Sequence, residues 1–194
     1  TSTYSAARAR PVIERLGRLG IPLVPCTSKS RPEIDALMAR LDLSGPFICE
    51  NGGAVYVPTS DVDAYPASGG SGVRRIALGY SYEVVVATLR DTAARSGVPI
   101  RGFADMSVAE VARECGLPVL DAQLGKLREL DQPFRILSPD PDACRRLLRA
   151  LRRAGLGVLQ GGRFYHAVGG TDKGAAVEAL RRLVARRRPA LLAG

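Results

Sequence analysis

The feature that most constrains the fold is a polar stretch at residues 59–72, TSDVDAYPASGGSG, whose composition is that of a linker. Before it, IPLVPC predicts a buried strand with an irregular end at Pro25, and TSKSRPEIDALMARL predicts a turn and then a helix from about Pro32. PFICE, NGG and AVYVP predict a strand, a tight turn and a second strand. A helix over Ala6 to Leu19, which stops at Gly20, precedes them.

After residue 72 the pattern begins again. Strands are predicted at VRRIALG, VPIRGF, PFRILS, PALLAG and LGVLQGGRFYHAVGG, the last being a pair with a turn at Gly161-Gly162. Helices are predicted at SYEVVVATLRDTAARSG, SVAEVARECGL, PVLDAQLGKLREL, PDACRRLLRALRRAG and TDKGAAVEALRRLVARR. Strand–helix units at both ends therefore flank an α+β insertion, which predicts an α/β core with an inserted cap. We predict a core at 1–70 and 166–194 and a cap at 71–165.

The chain carries 28 basic and 19 acidic residues, and a net charge of +9 is common to nucleic-acid binders and to proteins with arginine-rich surfaces. The densest basic runs, CRRLLRALRRAG and LRRLVARRRP, alternate arginine with leucine at helical spacing, as amphipathic surface helices do. Aromatic residues that could stack on bases are few and lie away from these runs. We therefore favour solvated helix faces and predict no nucleic-acid partner.

The sequence has no apolar run of the roughly eighteen residues that a membrane helix needs, so no membrane partner is predicted. The four cysteines lie far apart, with no CxxC pair and one histidine in the chain. This pattern argues against a zinc site and favours reduced thiols in a cytoplasmic protein. No feature of the sequence specifies an oligomeric state.

Lys173 is unusual because only three of the 28 basic residues are lysines. The motif HAVGGTDKGAAVEAL places it at the start of a helix, and with Thr171 as the N-cap it lies in the first turn. The helix dipole disfavours a cation there by about 0.3–1 kcal/mol. A bound anion would reverse the sign, because it would meet both the helix terminus and the ammonium group. The alternative is a surface lysine in a turn.

Three further segments carry candidate ligands. Thr27 to Ser30 lies where a strand gives way to a helix, and its hydroxyls, N–H groups and lysine suit a phosphate or a carboxylate; Ser30 as a helix cap is an equally favoured interpretation. Asn51-Gly52 follows a strand, and a hairpin turn is its simplest role. QGGRFYH supplies Arg163 and His166, and a lone histidine in a strand is more often structural than catalytic.

Taken in order, five segments resemble the haloacid dehalogenase superfamily of phosphatases and, within it, the mannosyl-3-phosphoglycerate phosphatase family. They are RLGIPLVPCTSKSRPEI, PFICENGGAVYVP, GFADMSVAEVARECGL, KLRELDQPF and GGRFYHAVGGTDKG, and together they span nearly the whole chain. The resemblance implies a Rossmann-like α/β core with an inserted α+β cap, Mg²⁺ as cofactor and a small phosphorylated sugar as substrate. Gln132 departs from the family pattern, in which an acid is expected.

The resemblance also implies residue roles. Thr27 matches the strand-end hydroxyl that binds the phosphoryl group, and Lys173 matches the lysine that neutralises charge on the phosphate and the nucleophile. Arg163 is implied as a clamp for the glycerate carboxylate, which arginine can hold with two parallel hydrogen bonds. The residues implied to border the site are Ser28, Lys29, Asn51, Gly52, Gly162, Arg163 and His166.

Two acidic motifs of the family are not in the sequence. An Asp-x-Asp-Gly-Thr loop, with the nucleophile, the acid/base aspartate and a magnesium ligand, is expected before Thr1. A Gly-Asp-x-x-Asn-Asp type loop, which completes the magnesium site, is expected after Gly194. We therefore interpret the 194 residues as the middle of a longer protein that hydrolyses its substrate through an aspartyl-phosphate intermediate. The chain alone is expected to be inactive and to hold no metal.

Two other hypotheses stay open at this point. One is a phosphatase for another small sugar phosphate, and the other is a non-catalytic protein that kept the ligand pocket and lost the chemistry. The coding sequence on both sides of the chain discriminates an enzyme from a non-catalytic protein, because the two acidic motifs there would support the enzyme.

Overall fold

The computed structural model describes residues 9–59 and 72–185, which form seven α-helices, seven strands and two short 3₁₀ helices at Glu50–Gly52 and Phe103–Asp105. The helices are α1 (Arg10–Arg18), α2 (Arg31–Leu41), α3 (Tyr82–Arg95), α4 (Val108–Cys115), α5 (Val119–Lys126), α6 (Pro141–Arg153) and α7 (Lys173–Ala185). The strands are β1 (Phe47–Cys49), β2 (Ala54–Pro58), β3 (Val73–Ala77), β4 (Ile100–Gly102), β5 (Asp131–Ile136), β6 (Leu156–Gln160) and β7 (Tyr165–Gly169). Apart from the IPLVPC strand, every element predicted within these ranges is present, with shifted ends.

The first sheet has three antiparallel strands in the order β1-β2-β3. Alternate residues of β1 and β2 point to opposite faces, as the pleat of a strand requires. On one face Phe47 and Tyr56 pack with Ile34 of α2, and their rings stack at 4.9 Å. On the other face Ile48 packs with Leu180 of α7. Helices therefore cover both faces of this sheet, as expected of an α/β core.

The second sheet has four antiparallel strands in the order β4-β5-β7-β6. Phe134 and Ala167 of this sheet form a core with Leu89 of α3 and Leu147 of α6. The α4–α5 pair has a core of its own, which includes Phe103 and Phe164. The second sheet is thus an α+β unit between β3 and α7.

Two strands lie close to the predicted domain limits, which stay predictions. β3 starts after residue 71 but pairs with β2 of the first sheet, with Val55 opposite Ile76. β7 extends beyond residue 165 and pairs with both β5 and β6. The linker at 59–72 and the strand predicted at PALLAG lie almost wholly outside the described residues, as does the start of the first helix.

The strand predicted at IPLVPC is not formed. The only ladder contact of this segment is one parallel bridge between Cys26 and Ile48. The physical reason is that Pro22 and Pro25 have no backbone N–H to donate to a neighbouring strand. The carbonyl of Pro25 still accepts from Ile48 at 2.8 Å, so the segment lies beside β1 as an irregular edge.

Ser30 caps α2, as one of its two interpretations predicted. Its hydroxyl accepts from the Glu33 N–H at 3.4 Å, and the Glu33 carboxylate accepts from the Ser30 N–H at 3.0 Å, which is a capping box. Within residues 9–59 and 72–185, no helix is long and apolar enough to cross a membrane.

Candidate active site

A pocket of about 430 Å³ opens between elements of the two sheets and the start of α7. The first sheet contributes its hairpin turn and the segment before α2, and the second sheet contributes the region around the β6–β7 turn. The lining residues are Ser28, Asn51, Leu159, Gln160, Gly161, His166, Asp172, Lys173 and Gly174. Four of the predicted site residues, Ser28, Asn51, His166 and Lys173, therefore share one pocket.

Backbone hydrogen bonds join the segment before α2 to the hairpin turn. The Asn51 N–H donates to the Thr27 carbonyl and the Glu50 N–H to the Lys29 carbonyl, both at 3.0 Å. The Thr27 hydroxyl accepts from the Lys29 N–H at 3.3 Å. Glu50 and Asn51 are left-handed, with φ of 47° and 58°, a conformation that asparagine adopts more readily than most residues. This pairing brings Ser28, which directly follows Thr27, and Asn51 to the same pocket.

Gly52 fixes the hairpin turn against the start of α7. A Cβ on Gly52 would lie 2.1 Å from the carbonyl oxygen of Asp172 and 2.8 Å from the nitrogen of Lys173. Its φ of +96° is also a conformation that favours glycine. The Thr171 hydroxyl donates to the Gly52 carbonyl at 3.2 Å. Gly52 is therefore the residue that lets the turn approach Lys173.

The sequence suggested Thr171 as the N-cap of α7, but in the structure the N-cap is Asp172. The Asp172 carboxylate accepts from the Ala175 N–H at 2.8 Å, whereas the Thr171 hydroxyl is engaged with the hairpin turn. Lys173 is the first residue of the helix and is exposed at the pocket. An anion in this pocket would meet both an ammonium group and the positive end of a helix dipole.

Asp131, at the start of β5, is fully buried behind the pocket. Its carboxylate accepts from Asn51 Nδ2 at 2.6 Å, from His166 Nδ1 at 2.9 Å and from the Arg128 guanidinium. Burial alone would raise the pKa of Asp131, but the Arg128 guanidinium and the two further hydrogen bonds outweigh it and hold the pKa below its ordinary value. Asp131 thus joins one pocket residue of each sheet through an ionised carboxylate.

Arg128 extends this network to the segment before α2. Its guanidinium donates to the Ser28 carbonyl and to the Gly125 carbonyl, each at 3.0 Å, and lies 3.8 Å from the Glu33 carboxylate. The side chain is 6% exposed, so it needs the charge of Asp131 beside it. Arg128 therefore connects the wall of the pocket to the chain segment that enters β5.

Glu50 also binds the chain segment that enters β5. Its buried carboxylate accepts from the backbone N–H groups of Glu129, Leu130 and Asp131 at 2.8–3.1 Å. Burial raises the pKa of the Glu50 carboxyl, and the charge of Arg128 opposes this only in part. The hairpin of the first sheet and the first residues of β5 are consequently one connected unit.

Five of the predicted site residues are not among the lining residues: Thr27, Lys29, Gly52, Gly162 and Arg163. The Lys29 ammonium forms an ion pair with Glu33 at 2.7 Å. Gly162 and Arg163 lie in the exposed β6–β7 turn, where the Arg163 guanidinium donates to the Glu114 carbonyl at 2.7 Å. The roles of these residues in substrate binding stay predictions.

Sequence reasoning missed the charged residues behind the pocket: Glu50, Arg128 and Asp131. Their partners are distant in sequence, since 80 residues separate Asn51 from Asp131. The available signal was a run of charges, LRELD, directly before a predicted strand. Buried charges in such a position require partners, which the sequence does not name.

The described residues do not form a magnesium site. Among residues 9–59 and 72–185, no three His, Cys, Asp or Glu side chains are grouped so that they could hold a metal ion. The one carboxylate that lines the pocket, Asp172, caps α7, and Asp131 is saturated by its three donors. Mg²⁺ prefers several oxygen ligands, so this part of the chain does not fit it.

Solved structures that superpose on this chain include two named as members of the haloacid dehalogenase superfamily. A haloacid dehalogenase-like hydrolase from B. subtilis superposes with a TM-score of 0.57 at 11% identity, over 88% of this chain and 69% of that one. A haloacid dehalogenase subclass IIB sugar phosphatase superposes with a TM-score of 0.55 at 13% identity, over 87% and 65%. The fold is therefore that of the haloacid dehalogenase superfamily.

Curated relatives indicate a family within the haloacid dehalogenase superfamily. No family model matches the chain. Two proteins named glucosyl-3-phosphoglycerate/mannosyl-3-phosphoglycerate phosphatase are 37% identical over 180 residues (Methanococcoides burtonii) and 34% identical over 192 residues (Persephonella marina). The matches cover 92% and 93% of this chain, which spans 66% of the length of each relative. The chain belongs to the mannosyl-3-phosphoglycerate phosphatase family of the haloacid dehalogenase superfamily.

Proposed function

We propose that the protein is a phosphoric monoester hydrolase that removes the phosphate group of mannosyl-3-phosphoglycerate or a related sugar phosphoglycerate. The observation that carries the proposal is the single pocket in which Lys173, at the start of α7, meets Ser28, Asn51 and His166. The pocket offers a phosphoryl group a cation and a helix terminus. The names of the two curated relatives supply the substrate class.

In this proposal Lys173 holds the phosphoryl group and neutralises its charge as the bond to the leaving group breaks. Lysine is a compact point charge with rotatable donors, which suits an oxygen approached from one side. Thr27, at the end of the segment beside β1, is the proposed second phosphoryl ligand. Preorganised charges of this kind stabilise a transition state without reorganisation during the reaction.

The attacking carboxylate is proposed to lie outside this chain and to form an aspartyl-phosphate intermediate. Both candidates at the pocket are engaged, because Asp131 is buried with three donors and Asp172 caps α7. Mg²⁺ is part of the proposal as the usual cofactor of this superfamily, and when bound it would neutralise further phosphate charge. The chain by itself is expected to bind ligand without turnover.

The proposed partner is a small phosphorylated sugar, and neither a nucleic acid nor a membrane is part of the proposal. The arginines of α6 support this, since Arg145 and Arg146 each form an ion pair with an aspartate near the start of that helix. We place the protein in the cytoplasm, because all four cysteines are free thiols.

The test is phosphate release by the intact coding product, which includes the sequence on both sides of this chain. We expect hydrolysis of mannosyl- and glucosyl-3-phosphoglycerate with kcat/KM at least about 100-fold above that for glucose 6-phosphate, a substrate without the glycerate carboxylate. Equal rates on glucose 6-phosphate would favour a general sugar-phosphate phosphatase. Binding without turnover by the intact product would favour the non-catalytic protein.

A further inference from the structure

His166 is held on one side by a carboxylate that has no proton to give. Its Nδ1 lies 2.9 Å from Oδ2 of Asp131, which also accepts from Asn51 and Arg128. The neighbouring guanidinium keeps the buried carboxyl ionised despite the cost of its burial. An ionised carboxylate only accepts hydrogen bonds, so the proton between the two residues belongs to Nδ1.

The other ring nitrogen of His166 is on the pocket side. A Cβ placed on Gly161 would lie 3.4 Å from both Nε2 and Cδ2 of His166, and both residues line the pocket. The His166 side chain is 15% exposed, so most of the ring is shielded from solvent. When Nδ1 carries the proton of the neutral ring, Nε2 is a hydrogen-bond acceptor.

We propose that Asp131 is a positioning residue for His166. It fixes the imidazole in its Nδ1–H form and orients the ring so that Nε2 faces the pocket, where it accepts a hydrogen bond from a hydroxyl group of the ligand's leaving group. The identity of that ligand rests on the proposed function, whereas the tautomer and the orientation of the ring do not. The same carboxylate binds Asn51, so β7 of the second sheet and the hairpin turn of the first sheet are positioned together.

Long-range ¹H–¹⁵N spectroscopy of the ¹⁵N-histidine-labelled chain tests the tautomer directly, because His166 is its only histidine. In the neutral form of the ring we expect a protonated Nδ1 and a bare Nε2. A wild-type spectrum with the proton on Nε2 overturns the proposal. This measurement needs no variant, so it decides the matter even if substitutions at Asp131 prevent folding.

Variants then separate positioning from a purely structural role. Asp131→Asn should convert the single tautomer into the Nε2–H form or a mixture, because an amide can donate to Nδ1. Asp105→Asn is the matched control, since Asp105 is another aspartate paired with an arginine, Arg90, and it should leave the spectrum unchanged. A folded Asp131→Asn protein that keeps the wild-type tautomer also overturns the proposal.

Kinetics of the intact enzyme provide the second readout. Asp131→Asn should raise KM for the sugar phosphoglycerate by roughly tenfold, as expected for one lost hydrogen bond to the ligand, with a smaller change in kcat. In a His166→Gln background the same substitution should have little further effect. Fully additive effects would contradict the positioning role. Absence of any hydrolysis by the wild type would contradict the proposed function and leave the tautomer result standing.

Discussion

The carboxylate of Glu50 accepts a hydrogen bond from the backbone N–H of Leu130, with Oε2 2.8 Å from the amide nitrogen. Glu50 lies in the hairpin of the first sheet, and Leu130 lies in the segment that enters the second sheet. The same carboxylate also accepts from the residues before and after Leu130, so one buried side chain satisfies three consecutive N–H groups. Backbone donors buried at a junction need partners, and here an acidic side chain supplies them.

Glu50→Gln should lower the free energy of unfolding by about 1–3 kcal/mol, measured by urea denaturation. The amide has a single acceptor oxygen, and its NH₂ group would face backbone donors, which leaves buried N–H groups unsatisfied. The matched control is Glu129→Gln, because Glu129 is 40% exposed and pairs with Arg75 on the surface. We expect less than about 1 kcal/mol there. Equal losses in both variants would contradict the role assigned to Glu50.

Gly52→Ala should disrupt the approach of the hairpin turn to α7. The added Cβ would lie 2.1 Å from a backbone oxygen of Asp172, and the backbone at this position has a positive φ. We expect a loss of at least about 2 kcal/mol in unfolding free energy, together with weaker binding of inorganic phosphate by calorimetry. Gly17→Ala, in α1 with no atom within 4 Å of its Cβ, should be neutral or stabilising. A Gly52→Ala protein of wild-type stability would show that the turn is not constrained.

Lys173→Ala should reduce kcat of the intact enzyme by about 10²–10³-fold, as loss of a preorganised charge at the phosphate does. Stability should not fall, because removal of a cation from a helix N-terminus relieves about 0.3–1 kcal/mol. Arg182→Ala removes the same charge from the exposed side of α7, where Arg182 pairs with Glu178, and should leave kcat unchanged. A Lys173→Ala enzyme with a near-normal rate would rule out the assignment.

Local chemistry explains which parts of the site were predictable from the sequence. The turn at Asn51-Gly52 and the start of α7 are encoded by neighbouring residues. The turn is found where the pattern placed it, and α7 begins at Lys173, one residue later than a Thr171 cap implies. The strand predicted at 21–26 is not formed, because two of its residues are prolines, which have no backbone N–H to donate. The apolar pattern that predicted the strand does not register this loss of donors. Glu50 and Asp131 could not be predicted, because their partners come together only when the two sheets pack.

The stability contributed by Asp131 should depend on pH in a direction fixed by its neighbours. Its pKa in the folded protein lies below its ordinary value of 3.8, because Arg128 and two further donors outweigh the effect of burial. The ionised carboxylate therefore stabilises the fold above pH 3.8, and this contribution is lost as the pH falls through the folded-state pKa. Asparagine at this position does not titrate.

The measurement is the difference in unfolding free energy between wild type and Asp131→Asn, from urea denaturation across the acid range. Removal of one partner of a buried ion pair costs about 3–5 kcal/mol at neutral pH, because the Arg128 charge is left uncompensated. The difference should shrink steadily as the pH is lowered below about 4, where the wild-type carboxyl gains a proton and approaches the uncharged amide in character. A difference that stays constant, or that grows on acidification, would mean that Asp131 is not preferentially ionised in the folded protein.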